Sequence, residues 1–290
     1  MADPAVIVVG NEKGGAGKST LAIHLLAGLM QTGHSVAVMD LDLRQRSLAG
    51  FLANRRAWLE ANRATAALPI EPDAFTDGAR LARAPEDEQL ARFEAAFAAA
   101  QDADFLIIDT PGGDTALSRA AHGRADQIVT PMNDSFVDFG LLGEIDPVTL
   151  NLKRPSIYAE TIWNARKDKA VDNPQAGLGQ IDWLVVTNRL AVFEARNRRR
   201  VDERLDLLAK RVGFRVGPGL RDRVIYRELY PFGLTVADLS EQIRPVEISL
   251  AHVAARQELR SLMQALGLDA AAAQIGPGDA ADETEAQQAA

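Results

Sequence analysis

The feature that most constrains this chain is the run Glu12-Lys13-Gly14-Gly15-Ala16-Gly17-Lys18-Ser19-Thr20 near its start. It follows a short β-branched run, Ala5–Gly10 (AVIVVG), and opens an apolar helical stretch, Leu21–Met30. A strand, a glycine-rich turn and a helix in that order is the context in which backbone N–H groups curl around phosphate oxygens. Glycine lets successive amides turn inward without a Cβ clash, and the helix N-terminus adds its partial positive charge. In that setting Gly14, Gly15, Ala16, Gly17 and Thr20 form a cradle, and Lys18 reaches the β- and γ-phosphates. The Ser19 hydroxyl is placed to ligate Mg2+. The expected ligands are therefore ATP and Mg2+. Glu12 stands where the general phosphate-loop pattern has glycine, so the match to that pattern is not strict.

Gly33 ends the first helix and Ser35–Met39 reads as the next strand, which makes a βαβ unit and hence a parallel sheet. Phe105–Asp109, Gln127–Thr130 and Trp183–Thr187 are further strand-like runs, and Phe214–Val216 adds a short edge strand. Each run is continuously apolar rather than alternating, as expected for strands covered on both faces. The predicted fold is α/β: a mostly parallel twisted sheet with helices on both faces, one P-loop domain over residues 1–268. Residues 47–102 are an elaboration on the sheet, with helices at Leu48–Asn62 and Glu86–Ala100 separated by Pro69, Pro72 and Pro85. Val246–Leu266 reads as an amphipathic helix. Residues 269–290, rich in Ala, Gln, Asp and Glu and lacking any basic residue, read as a disordered acidic tail.

A second carboxylate belongs with the phosphate loop. Asp109 ends the Phe-Leu-Ile-Ile strand, where such a sheet places the acid that orients Mg2+, and Gly112-Gly113 follow as a segment able to respond to a γ-phosphate. Asp40 and Asp42 follow the second strand; either one positions an attacking water or serves as a loop-stabilising acid.

The chain has no cysteine, which removes disulfide scaffolds, thiolate zinc sites and iron–sulfur clusters. No basic leader precedes an apolar run at the N-terminus, and the longest apolar stretches are strand-sized, so a cytoplasmic protein without a membrane segment is expected. His24 and His122 have no second ligand at metal spacing, and Trp58, Trp163 and Trp183 read as packing residues. The net charge of −8 is unevenly spread. Arg189–Arg227 holds twelve Lys/Arg against five Asp/Glu, a net of +7 that leaves −15 for the remainder. Within it, Arg196, Arg199 and Arg200 share one helical face and Arg221 and Arg223 follow. Arginines without interleaved aromatics suit phosphate-backbone contact, hence non-specific DNA binding, or else a solvated face paired internally.

Lys13-Gly-Gly-Ala-Gly-Lys18-Ser-Thr, with a lysine before the double glycine, resembles the deviant Walker A motif of the ParA/MinD family. The resemblance implies an ATPase that forms an ATP-dependent homodimer, with Lys13 reaching the partner's nucleotide. It implies that Asp42 is the hydrolytic acid of a first switch, Asp109 the Walker B acid, Asp109–Gly113 a second switch including Gly113, and Asn188 the reader of the adenine edge. The likeness is strongest to the family's MipZ branch, over most of Ala5–Leu268 and most specifically over Asp109–Pro147 and Glu194–Leu239. That branch implies division-site positioning, non-specific DNA binding with nucleoid association of the dimer, contact with the centromere protein ParB and inhibition of the tubulin-like FtsZ. A partition ATPase and a small-molecule ATP-dependent enzyme on the same fold are the alternatives. No convincing set of substrate-facing acids or bases stands out for the latter.

Overall fold

In a computed structural model of the chain, the residues described are 3–75, 77–133, 140–145, 152–172, 181–188, 205–239, 243 and 249–275. Strand β1 (Ala5–Val9) leads through the glycine-rich turn into helix α1 (Lys18–Gln31), and β2 (Val36–Asp40) follows. Then come α2 (Ser47–Asn62), a short α3 (Gly78–Leu81), α4 (Glu86–Ala99), β3 (Phe105–Asp109), α5 (Ala116–Arg124) and β4 (Gln127–Asn133). A small hairpin of β5 (Gly143–Ile145) and β6 (Leu152–Pro155) precedes α6 (Ile157–Asp172) and β7 (Asp182–Asn188). Residues 205–212 form helix α7, followed by β8 (Arg215–Pro218), α8 (Val224–Leu229), α9 (Leu250–Ala265) and α10 (Asp269–Gln274).

The central sheet has six strands in the order β2-β3-β1-β4-β7-β8, every pairing parallel. Consecutive strand residues face opposite ways, so Ile7 and Val9 enter one apolar cluster while Val6 and Val8 enter the other. The first cluster is closed by α1, α2, α8 and α9, through residues such as Leu25, Phe51, Tyr226 and Leu259. The second is closed by α4, α5, α6 and α7, through Phe93, Ala121, Ile162 and Leu208. Two covered faces explain the unbroken apolar runs of the strands. The outer edge of β2 is blunted by a bridge to Ile70, whose N–H donates to Val36 and whose carbonyl accepts from Val38.

Several sequence expectations need adjusting. β4 continues three residues beyond Thr130, through Pro131. β1 has ended by then, so the strand has a partner on only one side and tolerates a proline. The edge strand lies at Arg215–Pro218, and the amphipathic helix starts at Leu250 behind the cap residue Ser249. The acidic-tail reading is corrected over its first residues. Residues 269–274 are helix α10, with Ala271 and Ala272 buried, and Ile275 beyond it is buried too. Alanine is the best helix former, and here it packs on α1 and α9. Residues 276–290 lie outside the described residues, as do 189–204 and with them Arg196, Arg199 and Arg200. Among the described residues, no helix is long and apolar enough to cross a membrane.

Candidate active site at the carboxyl edge of the sheet

Strand register brings the candidate residues together. Val9 lies beside Asp109, and Asp109 beside Asp40, so three neighbouring strands end side by side. β1 then turns into the glycine-rich loop. Asn11 secures the start of that loop: its Nδ2 donates to the Pro131 carbonyl at 2.6 Å and its Oδ1 accepts from the Lys13 N–H at 2.6 Å. Gly17, at φ +91°, forms the N-cap of α1 in a left-handed conformation that favours glycine. The sequence had not singled out Asn11; an asparagine ending a strand just before a glycine-rich turn is the signal that was available.

The loop's two lysines occupy opposite environments. Lys18 is buried, and its Nζ donates to the Lys13 carbonyl at 3.1 Å. Burial lowers its pKa from the usual lysine value, while Asp109 and then Asp42 pull the other way. Lys13 is exposed.

Asp109 is fully buried and neither of its oxygens has a hydrogen-bond partner. Burial first, and the neighbouring Asp40 second, push its carboxyl up to about 8. Ser19 and Lys18 lie near enough to oppose that shift, although neither closes a hydrogen bond on the carboxylate. An unpartnered buried carboxylate beside a serine hydroxyl fits a hard divalent cation. Magnesium takes one or two protein oxygens and completes its shell with water and phosphate. Ser19 and Asp109 are the residues that would hold Mg2+, and the ion would neutralise charge developing on the phosphates.

Asp40 and Asp42 build the turn after β2. Asp40 accepts from the N–H of Asp42 at 3.1 Å and of Ala49 at 3.0 Å. Burial raises its pKa, and those two amides oppose the rise. Asp42 accepts from the N–H groups of Arg44 at 3.3 Å and Gln45 at 3.0 Å through one oxygen, Oδ1. Each of the two carboxylates thus accepts two loop amides, and Asp42, half-buried, also lies close enough to Lys18 to act on it. Across the cleft, the Thr110 N–H donates to the Val9 carbonyl at 3.1 Å, and Gly113 has φ +102°.

The sequence profile of the family described as ATPase MipZ matches residues 5–270. The chain belongs to the MipZ ATPase family. Solved structures share its fold at low identity. An ATP complex of McdA from Cyanothece superposes with a TM-score of 0.56 at 17% identity, covering 92% of this chain and 98% of that one. A putative plasmid partition protein of Borrelia burgdorferi B31, bound to AMPPNP, gives 0.55 at 13% identity over 90% and 99%. The septum site-determining protein MinD of Pyrococcus horikoshii OT3, with Mg-ADP, gives 0.52 at 14% identity over 92% and 98%. An iron-sulfur cluster carrier protein of Deinococcus radiodurans is 32% identical over 118 residues, which span 37% of this chain and 34% of that protein.

Asn188, buried at the end of β7, uses both ends of its amide within the protein: Nδ2 donates to the Ala16 carbonyl at 3.0 Å and Oδ1 accepts from the Leu220 N–H at 3.1 Å. Arg223, three residues beyond Leu220, lies against Glu258 of α9, whose Oε1 accepts from its Nε at 3.1 Å and its Nη2 at 2.5 Å. Arg221 is half exposed and sits 3.5 Å from the same carboxylate, while its N–H donates to it at 3.1 Å. Arg221, Arg223, Tyr226 and Arg227 line a shallow pocket with Gly17, Thr20 and Asn188. Glu258 is a second residue the sequence did not reveal, because it reads as one more polar position on an amphipathic helix.

Proposed function

We propose that this MipZ-family ATPase is an ATP-driven dimerisation switch in which Lys13 of each protomer contacts the nucleotide held by the other. The observation that carries the reading is the division of labour within the loop. Lys18 is buried against the loop backbone, whereas Lys13 is exposed on a backbone whose N–H and carbonyl are both hydrogen-bonded. Two nucleotides facing each other across an interface repel, and a cation contributed in trans offsets that repulsion. Loss of the γ-phosphate removes the strongest partner of Lys13, so ATP favours the dimer by differential affinity and hydrolysis acts as a timer. Asp42 is the residue that positions the hydrolytic water.

Family membership supports a further step: the dimer binds DNA without sequence preference, contacts ParB and restrains FtsZ assembly, which positions the division site. Dimerisation doubles the basic surface, so DNA retention follows ATP through avidity. Arg223 is largely covered by Glu258, so within this reading Arg196, Arg199 and Arg200 carry more of the contact than Arg221 and Arg223. The ATPase unit extends past residue 268, because Ala271, Ala272 and Ile275 join the same apolar cluster.

Light-scattering mass measurement with ADP, ATP and a non-hydrolysable analogue tests the core of this reading. Wild type doubles its mass with ATP and the analogue but not with ADP, and Lys13→Ala stays monomeric throughout. An unchanged mass in every nucleotide state would favour a monomeric phosphotransferase on the same fold.

A further inference from the structure

We infer that Asn188 is a positioning residue for the phosphate loop, which sets the direction of the Gly17 N–H. The inference rests on the reading of the loop as the ATP cradle. The orientation of the Asn188 amide is fixed by its two partners, because the Ala16 carbonyl only accepts and the Leu220 N–H only donates. Flipping the amide would set oxygen against oxygen and nitrogen against nitrogen. In a trans peptide the C=O and the following N–H point in opposite directions. Holding the Ala16 carbonyl down on Asn188 therefore aims the Gly17 N–H away from it, into the cradle. The contact is close: a Cβ on Gly17 would stand 2.2 Å from Asn188 Nδ2.

The other end of the strut is equally built. Gly219 approaches β7 so tightly that a Cβ there would meet the Thr187 carbonyl oxygen at 2.3 Å, and Leu220 then donates to Asn188. The strap beyond it is clamped by Glu258, which accepts from the Arg221 N–H at 3.1 Å, from the Arg223 guanidinium and from the Tyr226 hydroxyl at 3.1 Å. Ala16, Asn188, Leu220 and Glu258 thus form a continuous chain from the phosphate loop to α9.

The test compares wild type with Asn188→Ala in the same chain, measuring affinity for Mg-ATP, Mg-GTP and Mg-tripolyphosphate by displacement of a fluorescent ATP analogue. Alanine removes the donor to Ala16 and the acceptor for Leu220 without placing a charge beside the phosphates. Affinity for tripolyphosphate is expected to fall about tenfold or more, together with that for both nucleotides, as the loop loses its buried hydrogen bond. A decrease confined to ATP, with tripolyphosphate unchanged, would establish base reading and overturn the inference, and so would unchanged affinity for all three. Wild type that binds neither ATP nor tripolyphosphate would instead refute the cradle itself. Amide exchange on nucleotide-free wild type stands independent of the variant's folding: the Leu220 N–H is protected if the strut exists, and free exchange there would overturn it.

Discussion

His24 gives the fold a measurable acid sensitivity. It lies on α1, fully buried, with Nδ1 2.8 Å from the Thr20 carbonyl and its ring edge-on to Tyr226 at 4.4 Å. The carbonyl can only accept, so Nδ1 carries the proton and Nε2 is left as a buried lone pair without a partner. Burial pushes the ring down to about 4 from 6.5, with the Thr20 carbonyl and Asp238 opposing. Above pH 6.5 folded and unfolded chains both hold a neutral ring, and the group has no effect on stability. Between 6.5 and 4 the unfolded chain takes up a proton that the folded chain refuses, so stability falls as pH falls. At about 1.4 kcal/mol per unit of difference the loss is roughly 2 kcal/mol at pH 5 and approaches about 3 kcal/mol near pH 4. The assay is denaturant unfolding of nucleotide-free protein at pH 7.5 and pH 5, for wild type and His24→Asn. The variant is less stable at pH 7.5 but loses about 2 kcal/mol less on acidification, since His122 and the carboxylates are common to both. Equal losses in the two proteins would refute the reasoning.

Asp42→Ala is expected to hydrolyse ATP about 10²–10⁴-fold more slowly while still forming ATP-dependent dimers, as for loss of a group that orients water; a monomeric variant in ATP would sink that assignment. Arg55→Met leaves Asp238 buried without its cation and is expected to cost about 3–5 kcal/mol in denaturant unfolding, with Asp238→Asn in the same chain restoring part of the loss. No recovery in the double variant would mean that the cost is packing rather than charge. Replacing Arg196, Arg199 and Arg200 with alanine is expected to weaken DNA retention of the ATP dimer and to flatten its salt dependence, by about one unit of slope for each phosphate no longer neutralised. Retention of the wild-type dimer that is indifferent to salt would argue against phosphate-backbone binding altogether.

What the sequence made legible is what local chemistry dictates. The phosphate loop shows itself because few residue types permit its backbone, and the strands because double-sided burial demands unbroken apolar runs. Lys18, Ser19 and Asp109 came with them, each where one of those elements begins or ends, whereas Lys13 was singled out by the family resemblance alone. Pairings between distant residues left no such mark. Arg55 on α2 donates to Asp238 at 2.8 Å across 183 positions, and an arginine in a helical stretch looks solvent-facing until its partner is known. Asn188 and Leu220 are likewise paired only by the fold. At residues 269–274 composition misled, since alanine-rich acidic sequence serves a tail and a packed helix equally well until a surface such as that of α1 and α9 is available.

The strand order also determines which parts of the site can respond to nucleotide. Because β3 lies between β1 and β2, the phosphate loop, Asp109 and Asp40 sit on three hydrogen-bonded neighbours, and none of these strand ends moves without breaking the ladder. α2 is equally constrained. Arg55 ties it to the carbonyls of Ala67 and Gly233 and to Asp238, and the Tyr230 hydroxyl donates to the Ser47 carbonyl at 2.8 Å. Among the described residues, that leaves two short segments between fixed points, 41–46 and 110–115. The first carries Asp42 and is held by side-chain caps from Asp40 and Asp42 themselves. The second carries Gly113 at a positive φ. In the proposed switch, a γ-phosphate would need to reorganise only a few exchangeable amide–carboxylate hydrogen bonds, each of net strength about 1 kcal/mol. Hydrolysis would return the same small sum, which suits a reversible switch better than a rearrangement of the core would.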